Sequence, residues 1–149
     1  KALWLDRVYG TEYRNISNIL TVNRKVFWEE VLNVFSDVHD CCCLARHSNY
    51  DSTKVRYYHD GDYYEPHTDQ SINFLGFSYF FREPKKFEGG ELFFPKYDYK
   101  FDCPNNSLIM MPGWVEHGVS KVSISDSDYF DGFGRYAITS FFGIKEKSK

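Results

Sequence analysis

A chain of 149 residues with 42 % apolar and 19 % aromatic side chains carries enough apolar surface for one folded core, which excludes a disordered or fibrous protein. A formal charge of −3 without a basic cluster excludes a nucleic-acid footprint, and no apolar run reaches membrane-spanning length. Three of the four cysteines, Cys41, Cys42 and Cys43, are consecutive and only Cys103 lies apart, which excludes a disulfide framework and suits a reducing, cytoplasmic compartment.

The absence of a Pro/Ser/Gly-rich linker and of repeats predicts a single domain over 1–149. Lys1 to Tyr9 reads as a lead-in or edge strand. Asn23 is placed as a helix N-cap, because Phe27, Val31, Val34, Phe35 and Val38 then recur at helical spacing. That stripe predicts an amphipathic helix over about 24–38, a buttress packed on a sheet. His39 and His47 fall at the helix end and in a polar loop, as surface groups. Asn15-Ile16-Ser17 and Asn105-Asn106-Ser107 match the glycosylation triplet, which is common by chance.

After the cysteines the texture turns to short β-type runs over about 53–143: Lys54–Tyr58, Ile72–Phe81, Glu91–Phe94, Ser107–Met111, Gly118–Ile124 and Arg135–Gly143. Asp60-Gly61, Glu83-Pro84, Gly89-Gly90, Pro112-Gly113 and Asp131-Gly132 separate them. Strands this closely spaced leave no room for crossover helices. The expected architecture is mainly β, a sandwich or barrel with a packed N-terminal helix.

His67-Thr68-Asp69 lies in an extended segment, where residues two apart face the same side. A lone His-x-Asp more often marks an exposed loop. With His117 behind the Pro112-Gly113 turn, however, it completes the two-imidazole, one-carboxylate set of a mononuclear non-haem Fe(II) site. His59, in the turn Tyr58-His59-Asp60-Gly61, is read as solvent-facing. Arg135 opens the last strand and shares one face with Ala137, Thr139 and Phe141. A buried guanidinium needs an anion; a bound carboxylate would satisfy it bidentately, and Asp128 or Asp131 would be the structural alternative.

Four blocks resemble the prolyl 4-hydroxylase-like branch of the Fe(II)/2-oxoglutarate dioxygenases. They are the run from Tyr58 through Gly61, Tyr64 and Pro66 to His67 and Asp69; Gly89-Gly90-Glu91-Leu92; the apolar strand, turn and histidine from Leu108 to His117; and Arg135-Tyr136-Ala137-Ile138-Thr139. The resemblance implies a double-stranded β-helix (jelly-roll) core. It implies Fe(II) held by His67, Asp69 and His117 as the catalytic metal centre, with 2-oxoglutarate and O2 as cosubstrates and ascorbate as a candidate reductant. Arg135 would hold the distal carboxylate of 2-oxoglutarate, Tyr58 would donate a hydrogen bond to it, and Thr139 would line its pocket. An intact Asp69 implies hydroxylation, since halogenases of this superfamily lack that carboxylate.

The implied reaction is hydroxylation of an unactivated C–H, with proline in a peptide or protein as the favoured substrate. Tyr63, Tyr64 and Trp114 are the candidate aromatic walls, although most aromatics in such a chain serve packing. Two departures stand out. Phe80 aligns where the family often has a tyrosine, and the run from His117 to Arg135 is longer than usual, with Asp126, Asp128 and Asp131 in an acidic loop. The rival readings are a hydroxylase of a small molecule or another amino acid such as lysine, a non-catalytic jelly-roll binding module, and a cupin-like isomerase or zinc enzyme.

Overall fold

The computed structural model describes residues 2–4, 18–69 and 74–145. Val8 and Tyr9 of the expected lead-in strand, the Asn15-Ile16-Ser17 triplet and the expected strand start at Ile72 lie outside them.

One helical run precedes most of the strands: α1 (Asn18–Lys25), a π turn (Val26–Val31) and α2 (Leu32–Val38). A 3₁₀ segment, Asp40–His47, follows and carries the cysteine triplet; all four cysteines are free thiols. His39 and His47 are exposed. No helix among the described residues is long and apolar enough to cross a membrane.

The helix corrects two expectations. Asn23 is no N-cap: the helix has already begun at Asn18, and the buried Asn23 amide donates to Ser140 Oγ at 2.7 Å and accepts from Ser78 Oγ at 2.9 Å. The amide therefore joins the helix to two sheet strands. Val34 and Val38 also fail to face the sheet, at 69 % and 70 % exposed. The π turn is wider than an α turn and rotates the stripe. Beyond it Leu32 and Ser36 become the buried positions.

The strands are β1 (Ala2–Trp4), β2 (Tyr50–Tyr58), β3 (Tyr64–His67), β4 (Phe74–Phe80), β5 (Phe87–Glu88), β6 (Leu92–Phe94), β7 (Tyr99–Phe101), β8 (Ser107–Pro112), β9 (His117–Val119), β10 (Ser123–Ile124) and β11 (Arg135–Gly143). One antiparallel sheet has the order β1-β2-β11-β4-β8, a second β3-β9-β6-β7, and β5 pairs with β10. The polypeptide passes repeatedly between the sheets, from β2 to β3 and from β8 to β9. This is a jelly-roll, the double-stranded β-helix. The expected Gly118–Ile124 strand is two strands, because Ser120 leaves the sheet to donate from its hydroxyl to Glu91.

Alternation assigns the two faces of the larger sheet. From β4, Leu75, Phe77 and Tyr79 point between the sheets, where they meet Ala137 and Phe141 of β11, Leu92, Phe94, Met111 and Val119. Phe74 and Phe142 point the other way and pack with Phe27, Leu32 and Ala45 beneath the helix. Arg24 forks onto the 2 %-exposed Asp51 carboxylate of β2 through Nε and Nη2 at 2.9 and 3.0 Å. That pairing keeps the buried charge compensated.

Gly76 is required by the helix–sheet contact. A Cβ there would lie 2.4 Å from the fully buried Phe27 ring. We expect Gly76→Ala to destabilise the protein by about 1–3 kcal/mol through overpacking, read as a lower urea midpoint. Phe27→Leu in the same protein should restore part of that loss. An unchanged midpoint for Gly76→Ala would remove this contact as a determinant of helix docking.

Candidate metal centre and cosubstrate cavity

The smaller sheet builds the metal centre. β3 pairs with β9 so that His67 stands opposite His117, with ring centroids 4.5 Å apart. Asp69 lies two residues beyond the end of β3, and its N–H donates to the Gly113 carbonyl at 2.8 Å, which fixes the segment against the turn after β8. Asp69 Oδ2 lies 3.6 Å from His67 Nε2 and 3.7 Å from His117 Nε2, and the three donor atoms lie within 4.8 Å of one another. Donor atoms this close together could share one metal ion.

Both imidazoles are oriented by the backbone. His67 Nδ1 bonds the Glu65 carbonyl and His117 Nδ1 the Val115 carbonyl, each at 2.9 Å. A carbonyl only accepts, so Nδ1 carries the proton and Nε2 keeps its lone pair toward the common point. Burial holds the His117 pKa below its ordinary value, so the ring is neutral, the ligating form, at pH 7.

Behind this centre the two sheets enclose a cavity lined by His117, Tyr58, Tyr79, Arg135, Thr139 and Arg56 among others. Arg135 is 3 % exposed, and its Nε and Nη1 have no hydrogen-bond partner; the Tyr79 hydroxyl and Thr139 Oγ1 are also buried without one. The guanidinium lies over the Tyr58 and Tyr79 rings, 4.7 and 4.5 Å from their centroids. The Cys103 thiol beside it, its pKa raised by burial, is too weak an acceptor to replace an anion. Leaving a guanidinium buried and unpaired costs several kcal/mol, so this cation with two orphaned hydroxyls beside it fits a carboxylate ligand.

The acidic residues named as structural partners for Arg135 lie elsewhere. Asp128 pairs with Lys86 at 2.5 Å, and Asp131 offers its carbonyl to Arg82 at 3.0 Å. The long loop is thereby tied down on the β5 side. Its Tyr129 packs against His59 at 4.3 Å, with Tyr57 stacked on the same ring at 5.8 Å. His59 is therefore packed among aromatics and only partly exposed to solvent.

The tyrosine missing at Phe80 is present one residue earlier. Tyr79 is 1 % exposed and faces the cavity, whereas Phe80 stacks on Tyr136 on the outer face. A one-residue slip in a strand inverts every side chain; counting the alternation from Leu75 and Phe77 selects Tyr79. Arg56 is a site residue that the sequence does not announce. It shares the inward face of β2 with Tyr58, and its guanidinium lies 4.6 Å from the Tyr64 ring.

The expected aromatic walls divide. Tyr64 meets His67 edge-on at 4.4 Å, and Tyr63 and Tyr64 both line an outer cavity of about 190 Å³ next to the inner one. Trp114 instead packs on Phe74, a member of the helix-side cluster, at 6.0 Å and lines neither cavity. The glycine pair before Leu92 has a role in the site: Gly90, at φ 77°, packs so closely on Arg135 that a Cβ would lie 2.7 Å from Arg135 Cδ.

Residues 53–143, more than half of the sequence, match the family model described as the 2OG-Fe(II) oxygenase superfamily. A similar fold occurs in an oxidoreductase of the 2OG-Fe(II) oxygenase family from Burkholderia pseudomallei, at TM-score 0.52 and 14 % identity, covering 77 % of this chain and 55 % of that one. A Pseudomonas putida prolyl-4-hydroxylase gives 0.48 and 16 %, covering 72 % and 62 %. An RmlC-like cupin from Desulfovibrio desulfuricans gives 0.41 and 16 %, covering 61 % and 71 %. The chain thus spans a little over half the length of the two oxygenase structures. No curated protein matches it significantly.

Two outcomes test the geometry. His67→Ala should abolish stoichiometric Fe(II) retention in equilibrium dialysis, and full retention would remove His67 from the ligand set. Gly90→Ala should displace the Arg135 stem and weaken 2-oxoglutarate binding about tenfold or more, the scale of one charged hydrogen bond. Unchanged affinity in that variant would show that the glycine does not set the guanidinium's position.

Proposed function

The chain belongs to the 2OG-Fe(II) oxygenase superfamily, and on that premise we propose that it hydroxylates an unactivated C–H, with proline in a peptide or protein as substrate. The family supplies the cofactor class: Fe(II), with 2-oxoglutarate and O2 consumed. His67, Asp69 and His117 would hold the metal, and Arg135 would seat the distal carboxylate of 2-oxoglutarate. The Tyr79 and Thr139 hydroxyls, and Tyr58 beneath the guanidinium, would complete that seat. The observation that carries this reading is the buried Arg135 guanidinium, whose Nε and Nη1 lack a partner, in the cavity that also holds His117.

When bound, the metal supplies oxygen activation coupled to oxidative decarboxylation. One oxygen atom enters the new carboxylate of succinate, CO2 leaves, and the other oxygen becomes the substrate hydroxyl. The protein's tasks are orientation and exclusion of water. Backbone carbonyls fix both imidazoles, and Arg135 with its hydroxyl neighbours fixes one end of the diacid. The inner cavity encloses only about 10 Å³ of free space, about one water. Seating the diacid would therefore require the lining of this cavity to open. Ascorbate would act as the reductant that keeps the iron divalent.

The proline reading draws on the resemblance of the Tyr58–Asp69 block and on the outer cavity. Its volume exceeds the roughly 150 Å³ that accommodates benzene in an engineered cavity. Tyr63 and Tyr64 on its wall suit a small apolar ring.

Succinate formation with Fe(II), 2-oxoglutarate and O2 is the activity test, run with proline-containing peptides beside lysine-containing peptides and small molecules. Turnover confined to the proline peptides is expected, and absence of succinate with every substrate would contradict a dioxygenase. Arg135→Ala should raise the 2-oxoglutarate concentration needed about 100-fold, the loss of a buried charged contact, while Fe(II) retention stays near the parent level. An unaltered requirement would remove Arg135 from the cosubstrate.

A further inference from the structure

A second arginine stands near His117 with no anion of its own among the described residues. Arg56 lies on the inward face of β2, two residues before Tyr58, and lines both the inner cavity with His117 and the outer cavity with Tyr63 and Tyr64. Its contacts are a long one from Nη1 to the Tyr58 hydroxyl, 3.4 Å, and the face of the Tyr64 ring. Among the described residues no carboxylate lies within ion-pair distance of it. Asp62, the carboxylate on the outer cavity wall, accepts from the His59 N–H at 2.9 Å.

The cosubstrate does not need this cation. A divalent metal, Asp69, a doubly charged diacid and Arg135 already cancel in formal charge. The proximal carboxylate of the diacid would be met by the metal and the distal one by Arg135. Arg56 adds a further positive charge to the cavity that holds His117, in a partly desolvated setting where a charge without a counter-ion is unfavourable. Its fork suits a carboxylate bidentately, and the outer cavity has room for an amino-acid-sized group.

We propose that Arg56 binds a carboxylate of the substrate, so that the residue oxidised bears a free α-carboxylate, as a single amino acid or at the C-terminus of a peptide. This rests on the dioxygenase reading and narrows its substrate. The Arg56–Tyr64 stack lies where the two cavities meet. A molecule entering through the outer cavity reaches this guanidinium before the metal, and its ring can then settle against Tyr64.

The test uses the protein loaded with Mn(II) and N-oxalylglycine, a non-reactive analogue of the cosubstrate, and reads paramagnetic broadening of probe protons. The probes are the N-acetyl derivatives of proline, leucine and lysine, each as acid and as amide, with free L-proline added. Each acid should bind about tenfold or more tightly than its amide. Arg56→Gln should reduce that ratio to about one and Arg56→Lys should keep part of it. Acids and amides that bind alike to the parent, or a preference that survives Arg56→Gln, would overturn the assignment. So would a loss of N-oxalylglycine affinity in Arg56→Gln with the acid preference intact, because Arg56 would then belong to the cosubstrate. Stronger binding of L-proline than of N-acetylproline would identify the free amino acid as the source, and the reverse a peptide terminus. If the acids win but proline is no better than leucine or lysine, the proline reading fails and the role of Arg56 stands. If N-oxalylglycine does not bind the parent at all, the dioxygenase reading fails and this inference falls with it.

Discussion

The pairing of β3 with β9 is the constraint on which the site depends. It sets His67 opposite His117, and the segment that follows brings in Asp69 through its N–H bond to Gly113. Shifting β3 by one residue would turn His67 away from the sheet's inner face. The strand is short, and its register shifts between Tyr64 and His67. Its position therefore leans on neighbours: Gly118 admits the Phe93 ring and the Tyr64 carbonyl where any Cβ would clash. A rigid scaffold with the functional groups at the ends of short strands matches the needs of a centre that must stay ordered before its ligands arrive.

Burial of charge organises the rest. Arg135 stands on the longest strand pairing of the larger sheet, opposite Tyr58, with its stem against Gly90 and its head between two tyrosine rings. The aromatic faces offset part of the desolvation, but they provide no hydrogen-bond acceptors. Asp51, an equally buried charge on the opposite face of the same sheet, has its forked partner in Arg24. The contrast separates a structural ion pair from a buried cation without a protein counter-ion among the described residues.

Much of this is legible in the sequence. The helical buttress, the β texture and the jelly-roll class follow from periodicity and from the motif blocks. His67, Asp69, His117 and Arg135 are legible because each sits in a local pattern of its own: alternation across His-x-Asp, a turn before a histidine, and an arginine opening an apolar strand. What the sequence hides is phase. Periodicity puts Val34 and Val38 on the packed face because a π turn leaves no mark on a 3.6-residue period. Family spacing puts Phe80 at the cavity, against the alternation that selects Tyr79. Nearness to His117 puts Trp114 at the metal, although the turn carries it toward Phe74. Arg56 goes unread because a single cation in a strand looks like a solvated surface residue until the opposite sheet is known to cover it.

The central claim is that one metal ion and one diacid share a cavity between the sheets, and anaerobic titration of 2-oxoglutarate into the Fe(II)-loaded protein tests it most directly. Keto-acid chelation of Fe(II) gives a visible charge-transfer absorption that neither component gives alone. The predicted result is a saturable band reaching one diacid per metal ion and one metal ion per protein molecule. A titration that binds 2-oxoglutarate without that absorption, or metal without any diacid, would contradict a shared centre.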